Sequence, residues 1–322
     1  MMTKLICSLL ISLGLLLGSV LAQGTYPDKP ITLIQGFGTG GNSDTIARII
    51  APGLAKELGQ QIIVEAKTGA GGNIASAAVA KSLPDGYTLI LLTGGHAVSA
   101  AVYSKLTFNP VDDFEWISLV TQFPFAVSVS AESKFKTLAD VIAAAKAAPD
   151  TISYTSVGIG STQHLSGELF ASMAGVRMTH IPYKGGAGPL QDILGGRVDV
   201  MFDSITVTKA QMEAGKLRAL GVTSLKPYKL LPGVPPVADT IPGYEVTSWT
   251  GLAAPKGTSP EIQKRLHTAL LKVLADPEVI SKLENTGGLV TPSSSGAQMK
   301  QYVSGQIAKW RKVLVSANIP QQ

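Results

Sequence analysis

The sequence predicts an α/β protein made of two lobes, and three observations carry that prediction. Short apolar strands alternate with amphipathic helices along most of the chain, the pattern of parallel sheets with crossover helices. The 322 residues exceed the ~100–200 expected of one domain. Two long extended stretches, 116–130 and 247–254, bracket the middle third and read as crossings between lobes.

The first lobe opens with a strand over 30–35. A glycine loop leads to a helix over 43–58, where Ile46, Ile49, Ile50 and Leu54 recur at helical spacing. A strand over 61–66 precedes Gly69-Ala-Gly-Gly-Asn-Ile74, which opens a second helix ending near Ser82. Pro84-Asp85-Gly86 is a turn. The strand 87–93 is apolar on both faces, as a buried parallel strand should be. The extended stretch 116–130, broken at Phe123-Pro124, crosses to the second lobe. There helices over 138–147, 162–173, 189–194 and 207–214 alternate with strands over 152–156, 178–183, 198–202 and 217–222. A connection rich in proline (Pro232, Pro235, Pro236, Pro242) leads to 247–254, which crosses back. Helices over 260–274, 277–285 and 297–315 follow. The lobes are therefore 23–120 with 250–322, and 121–249. Lobes joined by two crossings hinge shut around a ligand, and their facing loops lie at the carboxyl ends of the strands, where open α/β sheets bind.

Residues 1–22 read as a signal peptide: Lys4, an apolar run over 5–17, then small or medium residues at Val20-Leu21-Ala22. The protein is accordingly expected in the periplasm. Cys7, the sole cysteine, leaves with that segment, which excludes disulfides and thiolate chemistry from the mature chain. Hydrophobic residues make up 45% and charged residues 15%, so a sizeable core is expected and disorder is not. The net charge of +5 comes without a Lys/Arg cluster and with 6% aromatics, which leaves a nucleic-acid partner unsupported. His96, His164, His180 and His267 lack metal-ligand spacing, so neither metal nor cofactor is expected.

Gly36-Phe37-Gly38-Thr39-Gly40-Gly41 spells Gly-x-Gly-x-x-Gly between a strand and a helix, and Glu65 stands 24 residues after Gly41. That is the local pattern of a dinucleotide site. Export, and the want of a catalytic acid or base on the third strand and its loop, reduce a secreted dehydrogenase to an alternative. His164 three residues after Ser161 suggests a hydrolase, but no acid is placed to orient the histidine and no Gly-x-Ser-x-Gly elbow occurs. The same glycine loop is physically an anion site, because a helix start offers unpaired N–H groups and the positive end of the dipole. Asn42, Ser43 or Asp44 can cap the helix, and Asp44 is the expected cap.

Tyr26-Pro-Asp-Lys-Pro-Ile31, the glycine loop with Asp44 and Ala47-Arg48, Thr68-Gly-Ala-Gly-Gly-Asn-Ile74 and Pro84-Asp-Gly-Tyr-Thr-Leu89 fall in one order with later blocks. These are Gly160-Ser-Thr-Gln-His-Leu165, His180-Ile-Pro-Tyr-Lys-Gly185, Leu194-Gly-Gly-Arg-Val-Asp199, Phe202-Asp203, Lys216-Leu-Arg-Ala-Leu220 and Ala254-Pro255. The series resembles the receptors of the tripartite tricarboxylate transporter family, also called Bug-type, over essentially all the mature chain. It departs at Ala66-Lys67, usually an Asn-Arg pair, and at Gly94-Gly95-His96.

The resemblance implies a two-lobed periplasmic-binding-protein fold (a type II-like Venus flytrap) with two crossing strands. It implies a monomeric, non-catalytic receptor that delivers a small carboxylate to membrane transporter subunits. One carboxylate of the ligand would be held by Phe37, Gly38, Thr39, Gly40 and Gly41 from the first lobe, by Gly158, Gly160, Ser161 and Thr162 from the second, and by bridging waters. Neither loop holds Arg or Lys, so backbone N–H groups and hydroxyls must hold the anion. Thr93 and His96 stand on the ligand side after the third strand. Asp203 either meets a ligand amine or fixes its own loop, and fixing the loop is the expectation. His164 is expected to make structural hydrogen bonds, Trp116 and Trp310 to pack, and Trp249 to sense closure.

Overall fold

A computed structural model describes residues 26–322. The expected signal peptide and Cys7 lie outside the described residues.

The chain begins with β1 (Ile31–Gln35), α1 (Asn42–Leu58), β2 (Ile62–Ala66), α2 (Asn73–Ala80) and β3 (Thr88–Thr93). β1 pairs in parallel with both β2 and β3, as strand–helix–strand units require. α3 (Gly94–Val102) follows at once. It was not expected, because Gly94-Gly95 reads as a loop; the Thr93 hydroxyl caps it by accepting from Gly95 N–H, and every residue of it is buried.

β4 (Phe114–Ser130) organises the molecule. Residues from Phe114 to Pro124 pair antiparallel with β9 (Thr247–Pro255). From Phe125 the strand pairs with β7 (Val200–Ser204) and β8 (Leu217–Val222). The Phe123-Pro124 site expected to break the strand is where it changes sheet, with no interruption of the extended backbone. Proline brings no N–H, so a change of ladder is a place that tolerates it.

The first sheet runs β2-β1-β3-β9-β4, with β10 (Leu289–Val290) paired to β4. The second runs β8-β4-β7-β5-β6, where β5 is Ser153–Ser156 and β6 is Thr179–Pro182. Its helices are α4 (Leu138–Ala147), α5 (Thr162–Ala174), α6 (Gly188–Leu194) and α7 (Ile205–Glu213). α8 (Pro260–Ala275), α9 (Pro277–Asn285) and α10 (Gly296–Ser316) follow β9.

α1 and α8 cover one face of the first sheet, and Ile31, Leu33, Ile46, Ile50, Leu54, Leu266 and Leu270 form that core. Each such side chain contributes about 1.5–3 kcal/mol. A second core lies on the other face and continues along β4 into the second sheet, through Trp116, Phe123, Phe125, Phe170, Tyr244 and Trp310. Trp116 and Trp310 pack as expected. No described helix is long and apolar enough to cross a membrane.

Candidate functional site

Strands β1, β3, β5 and β7 end at one cleft, and α1, α3, α5 and α7 begin there. Each helix start leaves N–H groups without an intrahelical carbonyl and carries about half a positive charge. α1 takes Gly41 as its N-cap, and its first internal bond runs from Thr45 N to Gly41 O at 3.0 Å. The N–H groups of Asn42 and Ser43 therefore remain for a ligand. In α5 the Ser161 hydroxyl accepts from His164 N at 3.2 Å, leaving those of Thr162 and Gln163.

The cavity between these starts takes in about 450 Å³ of space, counted out into open solvent at its mouth. The first-lobe side presents Phe37, Gly41, Asn42, Ser43, Thr93 and Ser248. The second presents Val157, Thr162, Gln163, Gly185, Gly186, Asp203 and Val207, with Phe123 and Phe125 at the floor on β4. None of these residues is basic. Ser43 is 2% exposed, and neither its Oγ nor Asn42 Oδ1 has a partner. Asp203 is 4% exposed, and burial pushes its carboxyl up to about 6 against the hydrogen bonds it accepts.

The two sides touch through main chain and through a few side-chain hydrogen bonds. Gly38 and Gly185 form an isolated parallel bridge, and a Cβ on Gly38 would stand 2.8 Å from Gly186 N. A Cβ on Gly71 would stand 2.5 Å from Ile159 O. Ser99 Oγ donates to Gly160 O at 3.1 Å, and Asn42 Nδ2 to Thr206 Oγ1 at 2.7 Å. Within the 36–41 loop it is Gly38 that serves this approach of two backbones, while Gly36 packs against Gly72 of its own lobe and Gly40 takes a left-handed φ of 80° in open space.

The profile of the TctC family, described as "Tripartite tricarboxylate transporter family receptor", matches residues 46–319. The chain belongs to this family. Solved structures agree. Periplasmic binding protein BugD is 33% identical with a TM-score of 0.88, over 92% of this chain and 100% of that one. Rpa4515 of R. palustris, determined with adipate, is 36% identical with a TM-score of 0.88, over 92% and 100%. MatC (Rpa3494) of Rhodopseudomonas palustris, with bound malate, is 32% identical with a TM-score of 0.86, over 90% and 100%. The two-lobed periplasmic-binding-protein architecture expected from the sequence is the fold of this tricarboxylate-transporter receptor.

Of the residues expected at the receptor's site, Phe37, Gly41, Thr93, Thr162 and Asp203 line the cavity. Gly38, Thr39, Gly40, Gly158, Gly160 and Ser161 do not line it, and Thr39 and Gly40 are exposed. Gly40 N donates to Asp44 Oδ2 at 3.0 Å and Gly41 N to Gly38 O at 3.2 Å, so neither N–H is free for an anion. Asp44 is not the cap: it sits at the third helical position and braces the loop from there, with Arg48 Nε donating to Oδ2 at 3.0 Å. Gly158 and Gly160 meet the opposite lobe at Gly71 and Ser99.

His96 is corrected outright. It lies inside α3, 4% exposed, among Phe108, Phe114 and Trp116, with Nε2 2.7 Å from Pro110 O and Nδ1 3.3 Å from Ser76 Oγ. Burial pulls its pKa down to about 4. His164 makes the structural bond expected of it, accepting from Gly160 N at 3.4 Å.

Asn42, Ser43, Gln163, Ser248 and the pair Gly185-Gly186 were not among the residues expected to touch a ligand. The carboxyl-end rule applied to β6 would have found Gly185-Gly186, two residues beyond Tyr183, and free N1 and N2 amides would have found Ser43 and Gln163. Among the described residues no group of His, Cys, Asp and Glu is placed to hold a metal.

Proposed function

We propose that this chain is a periplasmic receptor that holds a small organic acid between its lobes and hands it to the membrane subunits of a tripartite tricarboxylate-type transporter, without catalysing a reaction. The observation that carries this reading is the convergence of several helix starts, with free N–H groups and an orphan serine hydroxyl, on a cavity with no basic side chain. Such donors bind a carboxylate through charge-assisted bonds, about twice as strong as neutral ones. The Ser43 hydroxyl and N–H, with the N–H groups of Thr162 and Gln163, hold the anion; Phe37 and Phe125 flank the carbon skeleton. Adipate in one neighbour and malate in another support the class of ligand.

The lobes divide where the ladders change partner, between Pro124 and Phe125 on β4 and between Val246 and Thr247 ahead of β9. The working form is a monomer, exported by the 1–22 segment.

A thermal-shift screen across dicarboxylates, hydroxy acids, amino acids and aromatic acids tests the reading. A ligand at about 100 times its dissociation constant adds about 2.7 kcal/mol, and calorimetry then gives the affinity. A folded protein that no organic acid stabilises, or one that converts an acid to product, overturns it.

A further inference from the structure

We propose that the cavity selects an organic acid bearing an ammonium group beside its carboxylate, and that Asp203 Oδ2 with Asn42 Oδ1 receives that group. The proposal rests on the carboxylate reading and narrows it to amino-bearing acids.

Asp203 divides its oxygens between two tasks. Oδ1 accepts from Ser204 N at 2.7 Å, from Ser204 Oγ at 3.3 Å and from Gln163 Nε2 at 3.3 Å. Among the described residues nothing bonds Oδ2, although the residue lines the cavity. The loop-fixing role expected from the sequence is thus filled by one oxygen, and the second is left over.

Asn42 supplies an independent acceptor, and its amide orientation follows from its neighbours. Thr206 Oγ1 donates its single hydrogen to Thr286 O at 2.7 Å. It can then only accept from Asn42, 2.7 Å away, so the group facing it is Nδ2. Oδ1 is left buried and without a donor on a residue of the same cavity wall. A buried acceptor left unmet is costly, and no Lys, Arg or His of the cavity wall meets either one.

The wall is therefore polarised. Donors gather at the starts of α1 and α5; acceptors stand at Asp203 and Asn42. A plain diacid offers a second anion to a buried carboxylate, which repels it. A hydroxyl offers one donor. An ammonium offers three and a compensating charge, so its chemistry suits both acceptors.

Two matched series test this by calorimetry at pH 7.5 on the mature protein. Succinate, malate and aspartate differ only in carrying hydrogen, hydroxyl or ammonium at one carbon; adipate and 2-aminoadipate repeat the contrast on a longer skeleton. The ammonium member is expected to bind on the order of a hundredfold more tightly than the plain diacid of its series, with malate between, because a site built for a donor rejects the analogue lacking it. Asp203→Asn keeps an acceptor for Ser204 and removes the charge, so it should erase most of that ratio and improve binding of the plain diacid. A plain diacid that binds wild type as tightly as its amino analogue overturns the proposal while the receptor reading stands. An unchanged ratio in Asp203→Asn overturns it too. Should that variant not fold, the wild-type ratio decides alone. If neither series binds while other carboxylates do, the amino-acid class is excluded; if no carboxylate binds at all, the receptor reading falls and takes this proposal with it.

Discussion

Ser43 keeps a buried hydroxyl that no protein group uses. Removing such a group costs the fold nothing it has, whereas removing a ligand donor costs binding. Ser43→Ala should therefore weaken carboxylate binding by about 1–3 kcal/mol, the range for a hydrogen bond to a charged group, with a melting temperature of the free protein within a degree or two of wild type. Calorimetry and a melt on one preparation check both halves; a loss of stability without a loss of affinity would assign Ser43 to the fold. His96 gives the opposite kind of residue. Its pKa is pulled to about 4 by burial, and that of His180 to about 3 by burial and by neighbouring His164. In the unfolded chain both titrate near 6.5. The folded state refuses the proton, so the stability of the neutral rings is complete above pH 6.5 and drains as pH falls toward 4 and 3. Asp203, raised to about 6, works in the other direction: its burial cost is relieved as pH falls below 6. Wild type should lose melting temperature between pH 6.5 and 4, and His96→Gln should lose less over that window; equal slopes would refute a neutral buried His96. At this scale the sequence was legible where residue type dictates the role, as for the packing tryptophans Trp116 and Trp310. It misled at His96, because two glycines before it read as loop while burial made them the first turn of a helix.

The elements were legible nearly throughout. α4 and α9 fall on their expected residues, since Thr137 with Asp140 forms a capping box and Asp276-Pro277 sets a helix start. Boundaries slipped at β7, which starts two residues later and ends two later than expected, because its neighbours Val198 and Ile205 are equally apolar. The glycine loop was located correctly, but its contact across the cleft was not foreseen: a strand, a loop and a helix do not reveal that a second loop from 147 residues away, at Gly185, lies against Gly38. Gly38→Val places side-chain atoms where Gly186 backbone stands, and backbone cannot yield as a side chain does. The closed form should lose about 3 kcal/mol or more, so affinity should drop on the order of a hundredfold while circular dichroism and melting temperature stay near wild type. Full affinity in a folded Gly38→Val protein would mean that ligand binds without this contact.

At the scale of the whole molecule, a core continuous along β4 joins the sheets while the cleft above it is bridged by few polar bonds. Ligand drives closure only by binding the closed form more tightly than the open one. Donors from α1 and α5 meet on one anion only when closed, so adding the right acid should reduce the radius of gyration measured by X-ray scattering. Trp249 is fully buried against Tyr302, and its neighbour Ser248 stands 3.4 Å from Thr162 across the cleft, so its fluorescence should change with the same midpoint. Tight binding with unchanged scattering would mean a cleft closed in advance.

The meeting of the lobes through glycine main chain has a consequence for how such receptors diversify. Peptide groups are the same at every position, so the bolt of this device, Gly38 on Gly185 and Gly71 beneath Ile159, is written without side chains. The proposed keyhole is written in Ser43, Asn42, Gln163 and Asp203. Apart from Asn42, which also bonds Thr206 across the cleft, the two sets do not overlap, so substitutions at Ser43, Gln163 and Asp203 that retune what is captured leave the shut form unaltered. If the proposed receptor role holds, a transporter that feels only the shut form accepts cargo it has never met.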